Sequence, residues 1–206
     1  TQSPLFTYQP TSIRNLSSDR YKDMTLNVQV NKNLIDFYNT YPTSEINGNF
    51  MTRWGMYANT PMEQELQKQL YPILQEKVAS LNEHDAVDKL LNWVQTAFVY
   101  EYDDKVWGHD RAFFAEETLF YPYCDCEDRA ILFTRIVRDL LGLKCILIYY
   151  PGHLASAVCF NQQVTGDCIL LNGNKFVVCD PTYIGAPVGL TMPNMDNKSA
   201  NVIILE

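Results

Sequence analysis

The hydrophobic pattern of the second half of the chain constrains the fold most strongly. Four short apolar runs follow Gly142: Cys145–Tyr150, Leu154–Phe160, Cys168–Leu171 and Phe176–Cys179. Turn-forming segments such as Pro151-Gly152 separate them, and these segments are too short to hold the crossover helices that parallel strands need. The runs therefore predict a meander of antiparallel strands, to which Val202–Leu205 could add another.

Upstream of these runs, apolar residues recur at helical spacing. Their three- and four-residue steps predict one helix that begins after Asn82 and another that begins at Cys126 and ends before Gly142. Asparagine is a favourable N-cap, and glycine commonly follows the last residue of a helix. Because the helices come first and the strands follow, the chain is predicted to have an α+β fold.

The length of 206 residues suits a single globular unit. Within it we expect residues 1–60 to form an N-terminal arm that packs on a core of residues 61–206. The core should contain the helices and the strand meander. The chain begins at Thr1, which indicates either a processed mature chain or part of a longer one.

The arm and its junction with the core carry weaker patterns. Apolar residues alternate with polar ones over Met24–Val30, which predicts a short strand, and Leu34–Tyr38 predicts a short helix. Residues 43–60 are expected to form a loop. Thr60 and Pro61 are typical of a helix start, and Pro72 is expected to kink or break the helix that follows.

Charge and hydropathy exclude several classes of function. The chain has 24 acidic and 16 basic residues, a net charge of −8. Proteins that bind nucleic acid or anionic membranes generally do so through basic surfaces, so we expect no nucleic-acid partner. No apolar run approaches the roughly 18 residues that a membrane-spanning helix needs, so the chain should not span a membrane.

All six cysteines lie beyond residue 123, and Cys126 occupies a position that suits a nucleophile. It opens the second predicted helix, where unpaired backbone N–H groups and the helix dipole are expected to lower the pKa of a thiol. A nucleophilic thiol also needs a base and a group that orients the base. His153, before the second apolar run, and Asp180, after the fourth, are the candidates, provided that the meander packs against the helix.

The other cysteines have plainer interpretations. Cys145, Cys159, Cys168 and Cys179 lie in apolar runs and are expected to be core thiols without disulfides. Cys124 has no clear role. With Cys126 it could form half of a metal site, but structural zinc usually requires a second pair at wider spacing. We therefore predict neither a metal nor a cofactor.

Other side chains near the nucleophile have open roles. Asp128 and Arg129 could pair on the first turn of the helix. An oxyanion hole needs two donors, of which the backbone N–H of Cys126 could be one. Gln95, Trp107 and Tyr123 are candidates for the second. Gln95 also fits a solvated helix face, and Trp107 also fits a core position.

Three motifs in order resemble the transglutaminase-like superfamily. Asp125–Ala130 resembles its nucleophile motif, C-x-D-x-A, at a helix start. Gly152-His153 followed by Ala155 resembles its histidine strand, and Val178–Thr182 resembles its aspartate strand, which ends in D-P-T. The resemblance covers about residues 80–185. It departs from the usual pattern before Asp125, where the family often has glycine, and at Leu154, which separates His153 from the alanine.

The resemblance implies a papain-like α+β core whose nucleophile opens a helix packed on an antiparallel sheet. It carries over Cys126 as nucleophile, His153 as general base and Asp180 as the orienting acid. It implies a cysteine-dependent amide hydrolase or acyltransferase, peptidase-like, with a thioester intermediate and a peptide or protein substrate. Family habit and the absence of a starting methionine suggest a secreted or periplasmic protein.

Two other function classes remain open. A non-catalytic binding or scaffolding module could keep the fold, since some members of the superfamily are not enzymes. A redox or metal module could be built on the cysteines. The geometry around Cys126, His153 and Asp180 distinguishes among these hypotheses.

Overall fold

A computed structural model describes residues 6–42 and 49–206 of the chain. The described residues contain both helices and sheets in an α+β arrangement, as predicted. In chain order the elements are β1 Arg14–Ser17, β2 Thr25–Val28, α1 Lys32–Asn39, α2 Phe50–Asn59, α3 Gln64–Val78, α4 Glu83–Thr96, β3 Val99–Tyr100, α5 Asp103–Val106, α6 Ala115–Phe120, β4 Tyr123–Cys124, α7 Cys126–Leu141, β5 Lys144–Tyr150, β6 His153–Cys159, β7 Cys168–Leu171, β8 Asn174–Cys179 and β9 Asn201–Ile204.

The main sheet has the strand order β7-β8-β6-β5-β9, and every neighbouring pair is antiparallel. This confirms the antiparallel pairing and the additional strand near the C-terminus, but the predicted meander is wrong: β6 pairs with β8, and β7 lies at the edge of the sheet beyond β8. In the pairing of β6 with β8, Ser156 lies opposite Cys179. Because the two strands run in opposite directions, the start of β6 and the end of β8 lie at the same edge of the sheet. His153 and Asp180 are therefore brought together by strand pairing.

Helix α7 packs on one face of this sheet, against β5 and β6. Its buried residues include Leu132, Phe133, Ile136 and Val137, which belong to a core shared with α3, α4 and the sheet. The opposite face of the sheet carries Ile146, Ile148 and other apolar residues, covered in part by the segment that leads to β9. The sheet thus has apolar residues packed on both faces, which explains the nearly continuous apolar runs in its sequence.

The first turn of α7 is fixed by two buried charged side chains that bind different partners. Asp128 is fully buried and accepts hydrogen bonds from the backbone N–H groups of Phe113 and Asp125. Arg129 is 1% exposed and donates to the backbone oxygens of Gln95 and Phe98, at the end of α4. The predicted pairing of Asp128 with Arg129 is therefore wrong, because each side chain ties α7 to a different neighbouring segment.

A helix replaces most of the loop expected over residues 43–60; residues 43–48 lie outside the described part of the chain. Helix α2 begins after Asn49, whose side chain accepts a hydrogen bond from the N–H of Met51. Its buried face includes Trp54 and Tyr57. Gly55 weakens the sequence signal for a helix, yet a Cβ at this position would lie 3.3 Å from Cγ2 of Ile203 in β9. Close packing of α2 on β9 therefore favours glycine there.

The predicted helix start at Thr60 and Pro61 is also wrong. Thr60 caps the C-terminus of α2, and α3 begins at Gln64. Helix α3 continues through Pro72 without a break, with Leu70 and Leu74 buried on either side of it. Burial of these flanking side chains holds the helix together despite the backbone hydrogen bond that proline cannot make.

The segment between α4 and α7 contains elements that show no sequence periodicity. Strands β3 and β4 are two residues long and pair in parallel, with Val99 opposite Tyr123. Helices α5 and α6 are also short. Elements of this size hold too few residues to display a period, so they are defined by tertiary contacts.

We expect Arg129→Met to lower the free energy of unfolding by roughly 3 kcal/mol, since the substitution leaves the backbone oxygens of Gln95 and Phe98 without their donor. Urea denaturation measures the effect. Arg138→Met, on the more exposed last turn of α7, is the matched control and should cost less. Equal losses in the two variants would contradict a special role for the buried guanidinium.

Candidate functional site

Cys126 is the first residue of α7, and its position is set by the helix cap. Asp125 is the N-cap in an extended conformation, and its N–H donates to Oδ2 of Asp128 over 3.0 Å. Cys126 is 6% exposed and lines a cavity of about 340 Å³. The thiol therefore lies at the helix N-terminus expected from the sequence, on the wall of a partly open cavity.

His153 and Asp180 form a buried pair at the edge of the sheet. Nε2 of His153 lies 2.7 Å from Oδ2 of Asp180, and the two residues are 6% and 1% exposed. Oδ1 of Asp180 accepts from the backbone N–H groups of Thr182 and Tyr183, at 2.9 and 3.3 Å. Since a carboxylate only accepts hydrogen bonds, Nε2 carries the proton and Nδ1 is left as the basic nitrogen.

The loop that carries Asp180 is held by Gln95 of α4. Nε2 of Gln95 donates to the backbone oxygens of Asp180 and Ala186, each over 3.0 Å, and its Oε1 accepts from the N–H of Gly185. Gln95 is 1% exposed. The expectation of a solvated helix face is therefore wrong. Both amide hydrogens are already bonded, so Gln95 is not available as an oxyanion donor.

The cavity brings the thiol of Cys126 and the ring of His153 to one surface. Cys126, His153 and Leu154 line it, together with residues from α2, from the β3–α6 segment and from the β5–β6 turn. Asp180 lies behind His153 and is not part of the lining. The three predicted site residues thus belong to one cluster, with the histidine between the cavity and the carboxylate.

The thiol of Cys126 differs from the sequence expectation in two respects. Among the described residues, no hydrogen bond joins it to His153. Burial raises its pKa well above the ordinary value, the nearby charge of Glu127 raises it further, and a hydrogen bond from the backbone of Leu154 acts in the opposite direction. The predicted lowering of the pKa is therefore wrong. Loss of solvation and the neighbouring carboxylates raise the pKa of this thiol at the helix N-terminus.

An acidic cluster borders Cys126, and sequence reasoning missed it. Carboxylate oxygens of Asp103, Asp125 and Glu127 lie within 4.8 Å of one another, and these are the described residues that could hold a metal ion. Burial raises the pKa of Asp103 to about 6, and burial together with the charge of Asp128 raises that of Asp125. The sequence shows that Asp125 and Glu127 flank Cys126, but only the fold brings Asp103 close to these two residues.

Two candidates for the second oxyanion donor lie away from the cavity. Trp107 packs against Phe113 and Tyr121, with the guanidinium of Arg111 4.1 Å from its ring centre, and Tyr123 is 43% exposed on β4. Tyr100 lines the cavity instead. Burial and then the charge of Cys126 raise the pKa of Tyr100.

The remaining cysteines are free thiols outside the cavity lining. Cys124, Cys145 and Cys179 are buried, and Cys159 and Cys168 are half-buried. Burial raises the pKa of Cys124 to about 11 and that of Cys145 to about 12.

Comparison of the chain with protein-family models and with curated proteins finds no match. Among the described residues, no helix is both long enough and apolar enough to cross a membrane.

Replacing Gln95 with leucine should lower the free energy of unfolding by roughly 2–4 kcal/mol, because it leaves two backbone oxygens and one N–H without partners. Amide exchange at Gly185 should accelerate at the same time. Gln162→Leu, at an exposed position, is the control. Unchanged protection of Gly185 would show that Gln95 does not hold the loop.

Asp103 should make stability depend on pH in a definite direction. The unfolded chain releases this proton near pH 3.8, whereas the folded chain holds it to about pH 6. Between these values the folded state binds more protons, so its contribution to the free energy of unfolding falls as pH rises. Asp103→Asn should therefore gain stability relative to wild type from about pH 4 to about pH 7, by at most about 1.4 kcal/mol per pH unit.

Denaturation at a series of pH values measures this difference. Asp104→Asn, at the neighbouring exposed position, is the matched control. A difference between Asp103→Asn and wild type that does not vary with pH would contradict the assignment.

Proposed function

We propose that the chain is a cysteine-dependent acyl-transfer enzyme that hydrolyses an amide bond of a peptide or protein, with a papain-like core of the transglutaminase-like superfamily. The observation that carries the proposal is the buried pair of His153 and Asp180, whose Nε2 and Oδ2 atoms are 2.7 Å apart. His153 lines the same cavity as Cys126, and Asp180 lies behind the histidine. The order of the three residues along the chain and their placement on a helix start, a strand start and a strand end support it further.

The histidine is oriented for proton transfer. With Nε2 bound to Asp180, the ring is fixed and Nδ1 remains for the thiol. As Cys126 attacks the amide carbonyl, its proton passes to Nδ1, an S–C bond forms, and the carbonyl π electrons move to oxygen. The tetrahedral intermediate then expels the amine, which takes the proton from the imidazolium as the C–N bond breaks.

The resulting thioester on Cys126 is resolved by water. His153 removes a proton from the water, whose oxygen attacks the thioester carbonyl, and the sulfur leaves and is reprotonated by the imidazolium. An amine in place of water would give transamidation by the same steps. The backbone N–H of Cys126 and the hydroxyl of Tyr100 are the proposed donors to the oxyanion, since Tyr100 lines the same cavity as Cys126.

The resting thiol is proposed to be protonated, with activation coupled to substrate binding. Its pKa is raised, and no hydrogen bond links it to His153 among the described residues. Hydrogen bonds between catalytic groups are often loose without substrate and tighten in the complex. His153 therefore acts as a general base during the attack, rather than as a permanent partner of a thiolate.

The raised pKa and the missing hydrogen bond are also the observations that favour the second candidate, a non-catalytic binding module. In that case the cavity would bind a ligand without turnover. The buried His153–Asp180 pair favours the enzyme. Burying two ionisable groups costs desolvation free energy, and a catalytic role gives a reason for keeping them in a buried position.

Formation of an acyl-enzyme tests the proposal directly. With p-nitrophenyl acetate as acyl donor, wild type should acquire one acetyl group on Cys126, detected by peptide mass spectrometry, as p-nitrophenolate is released. His153→Ala should slow this acylation roughly 100-fold, because the general base is lost. Asp180→Asn should slow it through loss of ring orientation.

Cys168→Ser, which removes a half-buried thiol outside the cavity lining, is the matched control and should acylate at the wild-type rate. Acylation of Cys126 at a rate independent of His153 would exclude the proposed mechanism and favour the binding module.

A further inference from the structure

The strongest unexplained feature of the cavity is a set of buried carboxylate oxygens without partners. Asp125 is 6% exposed, and its Oδ1 has no hydrogen-bond donor among the described residues. Oε2 of Glu127 is also buried and unpaired. Both residues line the cavity and belong to the acidic cluster with Asp103. Buried acceptors normally have donors, so unpaired oxygens on residues that line a cavity indicate a missing cationic or hydrogen-bond-donating group.

The charge of the cavity lining also favours a cationic ligand. Apart from Asp125, whose pKa is raised, four acidic side chains line it, from Asp103, Asp104, Asp110 and Glu127, against the guanidiniums of Arg53 and Arg111. The Arg111 guanidinium is already bound to Glu117, over 2.6 Å, and to the side chain of Asn39. The lining therefore has an excess of negative charge next to the nucleophile, which attracts a positively charged ligand.

Aromatic rings that line the same cavity favour an organic cation, and the ring of Tyr100 already has the guanidinium of Arg129 5.4 Å from its centre. Tyr100 and Tyr102 both line the cavity, with their ring centres 5.4 Å apart and their planes nearly perpendicular. Carboxylates combined with aromatic faces suit an ammonium or guanidinium group, which gains from both. A divalent metal ion held by the three carboxylates of the cluster would complete its coordination shell with water, so the test below includes it as an outcome.

We infer that Asp103, Asp125 and Glu127, with the rings of Tyr100 and Tyr102, form a subsite for an ammonium or guanidinium side chain of the substrate. The substrate is thus a cationic peptide, with lysine or arginine close to the amide bond that is attacked. The inference rests on the proposed function, since the subsite directly flanks Cys126.

A cation in this subsite would also act on the nucleophile. Glu127 contributes to the raised pKa of the Cys126 thiol, and a positive charge beside Glu127 would offset that contribution. The correct substrate would therefore help to ionise the thiol that attacks it, so selectivity would appear in the rate of the chemical step as well as in binding.

Charged thiol reagents test the subsite. Wild type is treated with 2-aminoethyl, 2-sulfonatoethyl and methyl methanethiosulfonate, in which the thiolate displaces methanesulfinate and forms a disulfide. Mass spectrometry of the Cys126 peptide gives each rate, normalised to that of a free thiol. We expect the cationic reagent to be favoured over the anionic one by tenfold or more beyond the free-thiol ratio.

Asp103→Asn and Glu127→Gln should each reduce this preference severalfold. Glu76→Gln, at an exposed position on α3 outside the cavity lining, should leave it unchanged. A preference no greater than that of the free thiol, or one equal in wild type and both cavity variants, would overturn the inference. Loss of the preference on adding about 1 mM CaCl2, but not on adding NaCl of equal ionic strength, would replace it with a metal site.

A binding measurement separates this inference from the proposed function. Calorimetric titration of Cys126→Ser with N-acetyl-lysine methylamide should show tighter binding than titration with the neutral N-acetyl-norleucine methylamide, and Asp103→Asn should abolish the difference. Equal affinities would overturn the subsite, whatever the acylation experiment shows. A clear difference without acylation would support a cation-binding cavity and reject the enzyme.

Discussion

The buried N-terminus of α7 is the constraint on which the rest of the site depends. The helix start can hold one buried position only if hydrogen bonds connect it to the surrounding segments. Asp128 and Arg129 provide that connection, one to the segment before the helix and the other to the end of α4. These hydrogen bonds fix the position of Cys126, which forms part of the cavity wall.

Much of the architecture follows from local sequence rules. The predicted C-terminal boundary of α7 at Gly142 is confirmed, with Gly142 in a left-handed conformation that favours glycine. The antiparallel strands are confirmed as well. Their pairing alone explains why His153 and Asp180 meet, because a strand start and a strand end share an edge whenever neighbouring strands run in opposite directions.

The features that sequence reasoning missed arise from contacts between distant segments. Gln95 looked like a surface residue because its role depends on the Asp180 loop, 85 positions away. Asp103 came from a stretch without periodicity, and its approach to Glu127 exists only in the folded chain. The raised pKa of Cys126 has the same origin, since solvation and neighbouring charges are tertiary properties, whereas the helix dipole is a local one.

The tight packing at Gly55 has a consequence for the breadth of the cavity. Its neighbour Trp54 forms part of the cavity wall, and the helix that carries both rests on β9 at a spacing that a methyl group would strain. A larger residue at position 55 would press α2 away from the sheet and carry the indole with it. A substitution at position 55 would thus change the width of the cavity, although this residue does not line it. Strand β9 supports α2 and so determines where the Trp54 side of the cavity lies.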